Sequence, residues 1–182
     1  MEIKTTPFKD LLIIQPAVFP DERGYFFESF NESKFRVQTG LNMSFIQDNE
    51  SMSSKGVLRG LHFQLSPKAQ AKLVRVSKGA VLDVVVDLRR TQPTYGQSFK
   101  LVLSAENKTQ LFIPEGFAHG FCVLEDHTIF SYKCTNYYSK ENERSILWND
   151  PSLAIDWEIE NPIISEKDKN APLLESLPHF FF

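Results

Sequence analysis

Cysteine is scarce in this sequence: only Cys122 and Cys134 occur among 182 residues, and their spacing matches no metal-ligand motif. Both lie in apolar surroundings, which favours buried, reduced thiols over a disulfide bridge. Long apolar runs are also missing. The N-terminal "LLII" is short, the acidic residues Glu2 and Asp10 precede it, and no small-residue cleavage site follows it. We therefore expect neither a signal peptide nor a membrane span, and a cytoplasmic protein.

An excess of positive charge is absent as well, because the formal net charge is −3 at pH 7. This balance excludes general nucleic-acid binding as the default function, although it permits a local basic pocket for an anionic ligand. With 42% apolar and 24% charged residues, the chain has the composition of a folded domain with a substantial core. We therefore predict a single domain over residues 1–182.

The sequence does contain many short runs rich in Val, Ile, Phe and Tyr, such as "KLVRV", "AVLDVVVDL", "SFKLVLS" and "TIFSYKC", separated by Gly and Pro. This pattern predicts an all-β fold, a jelly-roll barrel or sandwich with a few short peripheral helices. The segment "NESKFRVQTG" predicts an early helix with Asn31 as its N-cap. The less regular tail, residues 149–182, is expected to wrap around the barrel. Its terminal "PHFFF" indicates no specific role, although three exposed Phe side chains would favour burial at an interface.

Alternation along the strands places three polar side chains on interior faces. The groups that share a face are Lys72 with Val74 and Val76, Tyr132 with Phe130 and Cys134, and His62 with Leu58 and Gln64. Each polar residue alone is compatible with an ordinary core or edge position. A buried lysine, however, usually has a task or a partner, and Asp83 on the "VLDVVVDL" run is a candidate for that partner.

The spacing of these residues resembles the two motifs of cupin jelly rolls. Cupins carry a His-x-His pair, a glutamate followed by six residues and a glycine, and then a Pro-x-Gly-x-x-His motif. Here His62 and Gln64 occupy the histidine pair, and "PEGFAH" supplies His119. Lys72 stands at the glutamate position, with six residues between it and Gly79. Because Gln and a cationic Lys replace two of the four metal ligands, we expect a jelly roll that binds no metal.

A longer series of motifs is similar to the dTDP-4-dehydrorhamnose 3,5-epimerase family. The similar segments are, in order, "FPDERGYFFESF", "QDNESMSSKGVLRGLHFQ", "AKLVRVSKGAVLDVVVDLR", "PEGFAHGF", "YKCTNYYS" and "SEKD". They extend over roughly residues 8–170. The resemblance implies a dimeric, cofactor-independent jelly-roll enzyme that acts on dTDP-4-keto-6-deoxyglucose in dTDP-L-rhamnose synthesis.

The chemistry of a 4-ketohexose fits the polar residues of the strands. C3 and C5 are both α to the carbonyl, so inverting either centre needs a base, a cation or donor at the enolate oxygen, and an acid on the opposite face. His62 suits the base because imidazole titrates near neutral pH. The resemblance implies that Asp168 of "SEKD" orients His62. It also implies that Lys72 holds the enolate and that Tyr132 is the acid. Local sequence alone would make Asp168 a solvated charge within "EKDK".

The segment "QDNESMS" places amides and hydroxyls at alternate positions, namely Gln47, Asn49, Ser51 and Ser53. If this segment is extended, one face carries only polar groups, which suits a nucleotide or a sugar. An ordinary polar loop explains the same composition. Gln47 and Asn49 are therefore candidate substrate-binding residues.

The resemblance implies further binding residues at scattered positions. They are Arg23 and Arg59 for the diphosphate, His119 and Tyr138 in the pocket, and Phe26 and Glu28, which reach into the partner subunit's site in a homodimer. Strict alternation places Arg59 on the face opposite His62, so its role requires a bulge near Gly60. His119 lies in an apolar "FAHGF" turn and could equally be structural.

Three alternatives remain open. A non-enzymatic jelly roll that binds a nucleotide sugar would need the polar face and the arginines, but not an inward Lys, Tyr and His together. A metal-dependent cupin isomerase or oxygenase would need the ligands that Gln64 and Lys72 replace. A 3-epimerase that leaves C5 unchanged is not firmly excluded by any motif.

Overall fold

The computed structural model describes residues 1–178, and the expectation for the terminal Phe cluster falls outside them. Their strands are β1 (Glu2–Thr5), β2 (Leu12–Gln15), β3 (Val18–Asp21), β4 (Gly24–Phe27), β5 (Gln47–Ser53), β6 (Val57–Gln64), β7 (Lys72–Lys78), β8 (Ala80–Asp87), β9 (Ser98–Ser104), β10 (Gln110–Ile113), β11 (Phe117–Val123), β12 (Thr128–Cys134), β13 (Glu143–Ser145) and β14 (Ile163–Ile164). The helices are α1 (Glu32–Thr39), α2 (Glu166–Lys169) and a 3-10 turn at Leu174–Ser176.

The strands form two sheets of six strands each and one separate hairpin. The first sheet has the order β1-β2-β10-β7-β12-β5, and the second has the order β13-β6-β11-β8-β9. In the second sheet β14 adds to β6 as a parallel strand, whereas the other pairs are antiparallel. Within residues 1–178, strands β3 and β4 pair only with each other. This arrangement is the jelly-roll fold predicted from the alternating runs.

Helix α1 forms where the sequence predicts it. The Asn31 side chain caps its first turn by accepting a hydrogen bond from the Lys34 N–H at 3.0 Å. The helix ends at Gly40, whose φ of 73° is the left-handed conformation that glycine adopts readily. Phe35 is its one buried side chain, packed on the first sheet beside Phe112. No helix among residues 1–178 has the length and apolarity to cross a membrane.

The main core lies between the two sheets. It is built from inward-facing side chains of both, including Val74, Val76, Val81, Val85, Leu111, Phe121 and Phe130. Lys72, Asp83, His119 and Tyr132 stand on the same inward faces, two residues along their strands from members of this core. The alternation that fills the core therefore also directs these polar groups between the sheets.

A second core covers the outer face of the second sheet. Side chains of β6 and β8 such as Leu61, Phe63 and Val84 pack there against Ile146, Leu153 and Trp157. The Trp157 ring nitrogen donates to the carbonyl of Trp148 at 2.8 Å, and the buried Asp150 carboxylate accepts the Leu174 N–H at 2.7 Å. The segment that begins near residue 149 thus lies over β6. Cys122, in this core, and Cys134 are both buried and unpaired, as predicted.

Candidate active site

A cavity of about 470 Å³ is lined by side chains of both sheets. Its polar lining includes Arg59 and His62 from β6, Lys72 from β7, His119 from β11, Tyr132 from β12 and Asp168 from α2. The structure therefore brings together all four residues for which the sequence predicts catalysis, and two of those for which it predicts binding.

His62 and Asp168 form a dyad on one wall of the cavity. His62 Nε2 lies 2.6 Å from Asp168 Oδ1, and the Asp168 side chain is only 4% exposed. Burial by itself would raise the pKa of Asp168, but hydrogen bonds with His62, the Gly60 N–H and Ser165 outweigh it and lower that pKa. Asp168 is therefore an anion at neutral pH. It holds the proton of the neutral imidazole on Nε2 and leaves Nδ1 with a free lone pair.

Three short local features place Asp168 beside His62. Strand β14 pairs with β6, with Ile164 opposite Leu58, and ends one residue before Ser165. The Ser165 side chain then caps α2 by accepting the Asp168 N–H at 3.1 Å. Because β14 runs parallel to β6, the helix that follows it reaches the middle of β6, where His62 lies.

Strand β6 carries a bulge next to the cavity. Across the β6–β11 pair, His62 lies opposite His119 and Arg59 lies opposite Phe121. Two residues of β6 therefore face the single residue Gly120 of β11, which is the geometry of a β-bulge.

Glycine is required at this bulge. Gly60 has a φ of 136°, and a Cβ built there would lie 2.5 Å from the Cα of Gly120. The extra residue turns Arg59 into the cavity with His62, as its predicted role requires, and places Leu58 in the outer core. The prediction that Leu58 shares a face with His62 is wrong for this reason.

Lys72 and Tyr132 belong to the first sheet, whereas His62 belongs to the second. The Lys72 ammonium lies 5.9 Å from the centre of the Tyr132 ring. Burial lowers the pKa of Lys72, and the nearby acidic groups of Cys134, Asp83 and Glu143 oppose that change. Burial raises the pKa of Tyr132, so its hydroxyl keeps its proton at neutral pH. The cavity thus has an imidazole paired with a carboxylate on one wall, and a phenol and a primary amine on the opposite sheet.

His119 is paired with Asp83 at the inner side of the cavity. His119 Nε2 lies 2.9 Å from Asp83 Oδ2, and both side chains are buried. The other oxygen of Asp83, Oδ1, has no hydrogen-bond partner among the described residues. Asp83 therefore bonds to His119 and not to Lys72, the partner suggested by the sequence. Its charge nevertheless acts on Lys72, because it raises the pKa of the amine and so works against the effect of burial. Burial lowers the pKa of His119, whereas the charge and the hydrogen bond of Asp83 raise it, and burial has the larger effect.

A smaller chamber of about 150 Å³ shares His62, Lys72 and Tyr132 with the main cavity. Its further lining includes Gln47, Asn49, Gln64, Tyr138 and Glu143. Strand β5 alternates between exposed and less exposed residues, and its four predicted amides and hydroxyls lie on the less exposed face. Gln47 and Asn49 are connected by a hydrogen bond of 3.1 Å from Gln47 Nε2 to Asn49 Oδ1.

Two charged residues of the site, Glu143 and Lys167, are not among those predicted from the sequence. Glu143 accepts a hydrogen bond from the Tyr138 hydroxyl at 3.1 Å and pairs with Lys167 at 2.6 Å. Glu143 lines the smaller chamber and Lys167 lines the main cavity. The only signal in the sequence is that Lys167 precedes Asp168 in "SEKD". Nothing in the polar run around Glu143 indicates its pairing with β6.

The β3–β4 hairpin and the residue that follows it hold three predicted binding residues away from this cavity. Arg23 is ion-paired with Asp21 at 2.6 Å, Glu28 with Lys34 at 2.8 Å, and Phe26 is 71% exposed. Among the described residues, those that line the two cavities include none of these three. The structure does not bring Arg23, Phe26 or Glu28 to the site of their own chain.

The residues at the cupin ligand positions do not suit a divalent metal. Lys72 brings an amine in place of a carboxylate, and Gln64 uses both ends of its amide in hydrogen bonds to two neighbouring loops, at Lys68 and at Ser139. Within residues 1–178, no group of three or more His, Cys, Asp or Glu side chains has an arrangement that could hold a metal ion. The groups available for chemistry in the cavity are imidazoles, carboxylates, a phenol, primary amines and a guanidinium.

Comparison with known proteins gives one consistent result. Residues 5–176 match the family described as dTDP-4-dehydrorhamnose 3,5-epimerase. A Shigella flexneri protein of that name is 53% identical over 180 residues, which cover 99% of each chain. The crystal structure of an Elizabethkingia anophelis protein of the same name is 55% identical, with a TM-score of 0.92, over 96% of this chain and 97% of that one. A Legionella pneumophila dTDP-6-deoxy-D-glucose-3,5-epimerase, in complex with dTDP-4-keto-L-rhamnose, is 49% identical with a TM-score of 0.94, over 97% and 94% of the two chains.

Proposed function

The chain belongs to the dTDP-4-dehydrorhamnose 3,5-epimerase family, and on that premise we propose that the cavity between its sheets is the active site for this reaction. The enzyme inverts C3 and C5 of dTDP-4-keto-6-deoxy-D-glucose and yields dTDP-4-keto-L-rhamnose. One observation carries the assignment of the site. The His62–Asp168 dyad faces Lys72 and Tyr132 across a single cavity.

The first step is removal of a proton α to the C4 carbonyl. His62 Nδ1 takes the proton from C5 or C3, and the electron pair of that C–H bond moves toward the carbonyl to form an enolate. Asp168 stabilises the imidazolium through its 2.6 Å contact with Nε2. The ammonium of Lys72 stabilises the negative charge that develops on O4.

The second step returns a proton to the opposite face of the carbon. Tyr132 suits this step because it stands on the sheet opposite His62 and because its hydroxyl, whose pKa burial raises, still carries its proton at neutral pH. Protonation of the enolate by Tyr132 restores the ketone with inverted configuration. His62 then returns its proton to solvent and Tyr132 regains one, so that no cofactor is consumed.

Substrate binding is assigned to polar residues around the catalytic four. Arg59 is turned into the cavity by the bulge and offers a guanidinium to the diphosphate. The remaining proposed contacts are Gln47, Asn49, His119 and Tyr138, all of which line one of the two cavities. We add Glu143 and Lys167, whose ion pair connects β13 to the helix of Asp168, and Glu143 also accepts a hydrogen bond from Tyr138.

We further propose a homodimer in which the β3–β4 hairpin completes the partner subunit's site. Phe19, Tyr25 and Phe26 are 61%, 56% and 71% exposed, an unusual amount of aromatic surface for one hairpin. Arg23 and Glu28 lie at the turn and just after the end of this hairpin, so both charged side chains would accompany the rings to the partner subunit. Burial of these rings against a second copy explains both the exposure and the distance of the hairpin from its own cavity.

The role of the cavity is tested with His62→Ala. We expect turnover of dTDP-4-keto-6-deoxyglucose to fall by about 10²- to 10⁴-fold, while dTDP binding measured by calorimetry changes by less than a few-fold. The control is His127→Ala, because His127 is an exposed histidine in the β11–β12 turn. Parallel loss of turnover and dTDP binding would contradict the role of His62 as base.

The dimer is tested by complementation. A chain with His62→Ala lacks the base but keeps its hairpin, and a chain with Phe26→Ala and Glu28→Ala keeps the base but lacks the hairpin contacts. After subunit exchange, mixed dimers should recover activity, because one of their two sites is complete. If mixing restores no activity while exchange is demonstrated, the hairpin does not act on the partner subunit's site.

A further inference from the structure

Gln64 occupies the position at which cupins carry their second metal-binding histidine, and the proposed reaction gives it no chemical task. Its side chain is buried, with 6% of the residue exposed. The amide nitrogen Nε2 donates to the carbonyls of Lys68 at 2.6 Å and Tyr137 at 3.2 Å. The amide oxygen Oε1 accepts the Ser139 N–H at 2.7 Å. One side chain thus binds the residues on both sides of Tyr138.

The segment held by Gln64 has no regular secondary structure of its own. Residues 137–139 lie between the end of β12 and the start of β13. Tyr138 is held directly by two further contacts, from its N–H to Gln47 Oε1 at 2.8 Å and from its hydroxyl to Glu143 at 3.1 Å. Its ring lines the smaller chamber beside His62 and Lys72. The position of this ring therefore depends on a small number of side-chain hydrogen bonds.

The chemistry of a primary amide fits this task. An amide offers two N–H donors and one carbonyl acceptor, which matches the Lys68 carbonyl in the β6–β7 connection together with the Tyr137 carbonyl and the Ser139 N–H of the loop. A neutral histidine offers one donor and one acceptor and would leave one of the loop groups without a partner. Removing the amide would take this partner away from the Tyr137 carbonyl and the Ser139 N–H, so the loop would lose the net value of two hydrogen bonds.

We propose that Gln64 is a positioning residue that fixes residues 137–139 and thereby holds Tyr138 in place to bind the nucleotide sugar. The proposal rests on the proposed function, because it gives Tyr138 a contact with that substrate. At the motif position where cupins carry a metal ligand, this chain thus has a side chain that holds a substrate-binding loop. His62, Lys72 and Tyr132 lie on strands of the two sheets and outside residues 137–139, so loss of the clamp is expected to weaken binding rather than the chemical step.

The test is a double-mutant cycle with Gln64→Met and Tyr138→Ala, assayed with dTDP-4-keto-6-deoxyglucose. Methionine keeps a similar length and removes every hydrogen bond of the amide. We expect Gln64→Met to raise KM by about tenfold, the effect of one net hydrogen bond, and to leave kcat within about twofold. A rise in KM at constant kcat marks the loss of uniform binding rather than of catalysis. In the Tyr138→Ala background, Gln64→Met should have no further effect on KM.

Independent, multiplicative effects of the two substitutions on KM would overturn the proposal, as would a fall in kcat without a change in KM. If Gln64→Met is recovered only unfolded, Gln64→Glu replaces it, because Glu keeps the acceptor for Ser139 and loses both donors; the same cycle is then expected.

A matched control is Gln15→Met. Gln15 also binds a turn with both ends of its amide, through Asn107 O and Thr109 Oγ1, each at 2.9 Å, and that turn contributes nothing to the cavities. Its KM should equal that of the wild type, and an equal rise in KM for Gln15→Met would contradict a specific role of Gln64. Failure of the proposed function would instead show as an inactive wild type.

Discussion

Asp168→Asn tests the dyad with almost no change in shape. Asp168 Oδ1 contacts His62 Nε2 at 2.6 Å, and its Oδ2 accepts the Gly60 N–H at 3.4 Å. An asparagine at this position satisfies Gly60 only with its carbonyl oxygen, which directs its NH₂ group at His62. Nε2 must then accept a hydrogen bond, and the proton of the imidazole moves to Nδ1. The nitrogen proposed as the base therefore loses its lone pair.

Two losses combine in this variant. A charge-assisted hydrogen bond contributes about 1.5–3 kcal/mol, and its loss alone corresponds to roughly 10- to 150-fold in rate at about 1.4 kcal/mol per tenfold. The wrong tautomer adds to this, since the same exchange in a Ser-His-Asp triad lowers kcat by about 10⁴. We therefore expect kcat of Asp168→Asn to fall by about 10²- to 10⁴-fold, with nucleotide binding unchanged within a few-fold.

The assay is steady-state epimerisation of dTDP-4-keto-6-deoxyglucose, with dTDP binding measured in parallel. Asp150→Asn is the matched control, because Asp150 and Asp168 are both 3% exposed and both accept hydrogen bonds from backbone N–H groups. Asp150→Asn should lower the free energy of unfolding but leave kcat close to that of the wild type. A kcat for Asp168→Asn within tenfold of the wild type would refute the reasoning about the tautomer.

Three further predictions concern the other groups of the cavity. Tyr132→Phe should still form the enolate, but His62 would return the proton to the original face. The ratio of deuterium exchange into unepimerised substrate to inversion should therefore be higher than in the wild type. An equal loss of exchange and of inversion would contradict the role of Tyr132 as acid. Asp83→Asn removes a negative charge that favours the ammonium of Lys72, so the pKa of Lys72 should fall and the alkaline limit of kcat/KM should move to lower pH. An unchanged limit would show that Asp83 does not influence Lys72. Exhaustive chelation with EDTA should leave turnover unchanged, and restoration of a lost activity by a divalent ion would contradict a metal-free reaction.

The fold was accessible from the sequence because alternation, turn residues and a helix cap act locally. Asn31 and Gly40 mark both ends of α1, and Lys72 and Tyr132 face inward with their apolar neighbours, as alternation predicts. The prediction that Leu58 shares a face with His62 failed because strand alternation is interrupted between these two residues. A bulge at Gly60 shifts the period of β6 by one residue, and a glycine in the sequence does not show whether a bulge is present.

The long-range contacts of the site were less accessible. Asp168 lies 106 residues from His62, and its pairing depends on β14 adding to β6, a two-residue strand that no periodicity could reveal. Only resemblance to a family distinguished Asp168 from a solvated charge. Glu143 and Asp83 illustrate the same limit, since sequence shows that a polar group is present but not which partner the fold brings to it.

The most direct test of the account is epimerisation by the wild-type protein in deuterium oxide. The protein is incubated with dTDP-4-keto-6-deoxyglucose, and the product is examined by NMR for deuterium and for configuration at C3 and C5. The account predicts solvent-derived deuterium at both carbons, each with inverted configuration, because one dyad and one acid serve both positions α to the carbonyl. Label and inversion at C3 alone would identify a 3-epimerase, and inversion without solvent label would contradict proton abstraction by His62 and return by Tyr132.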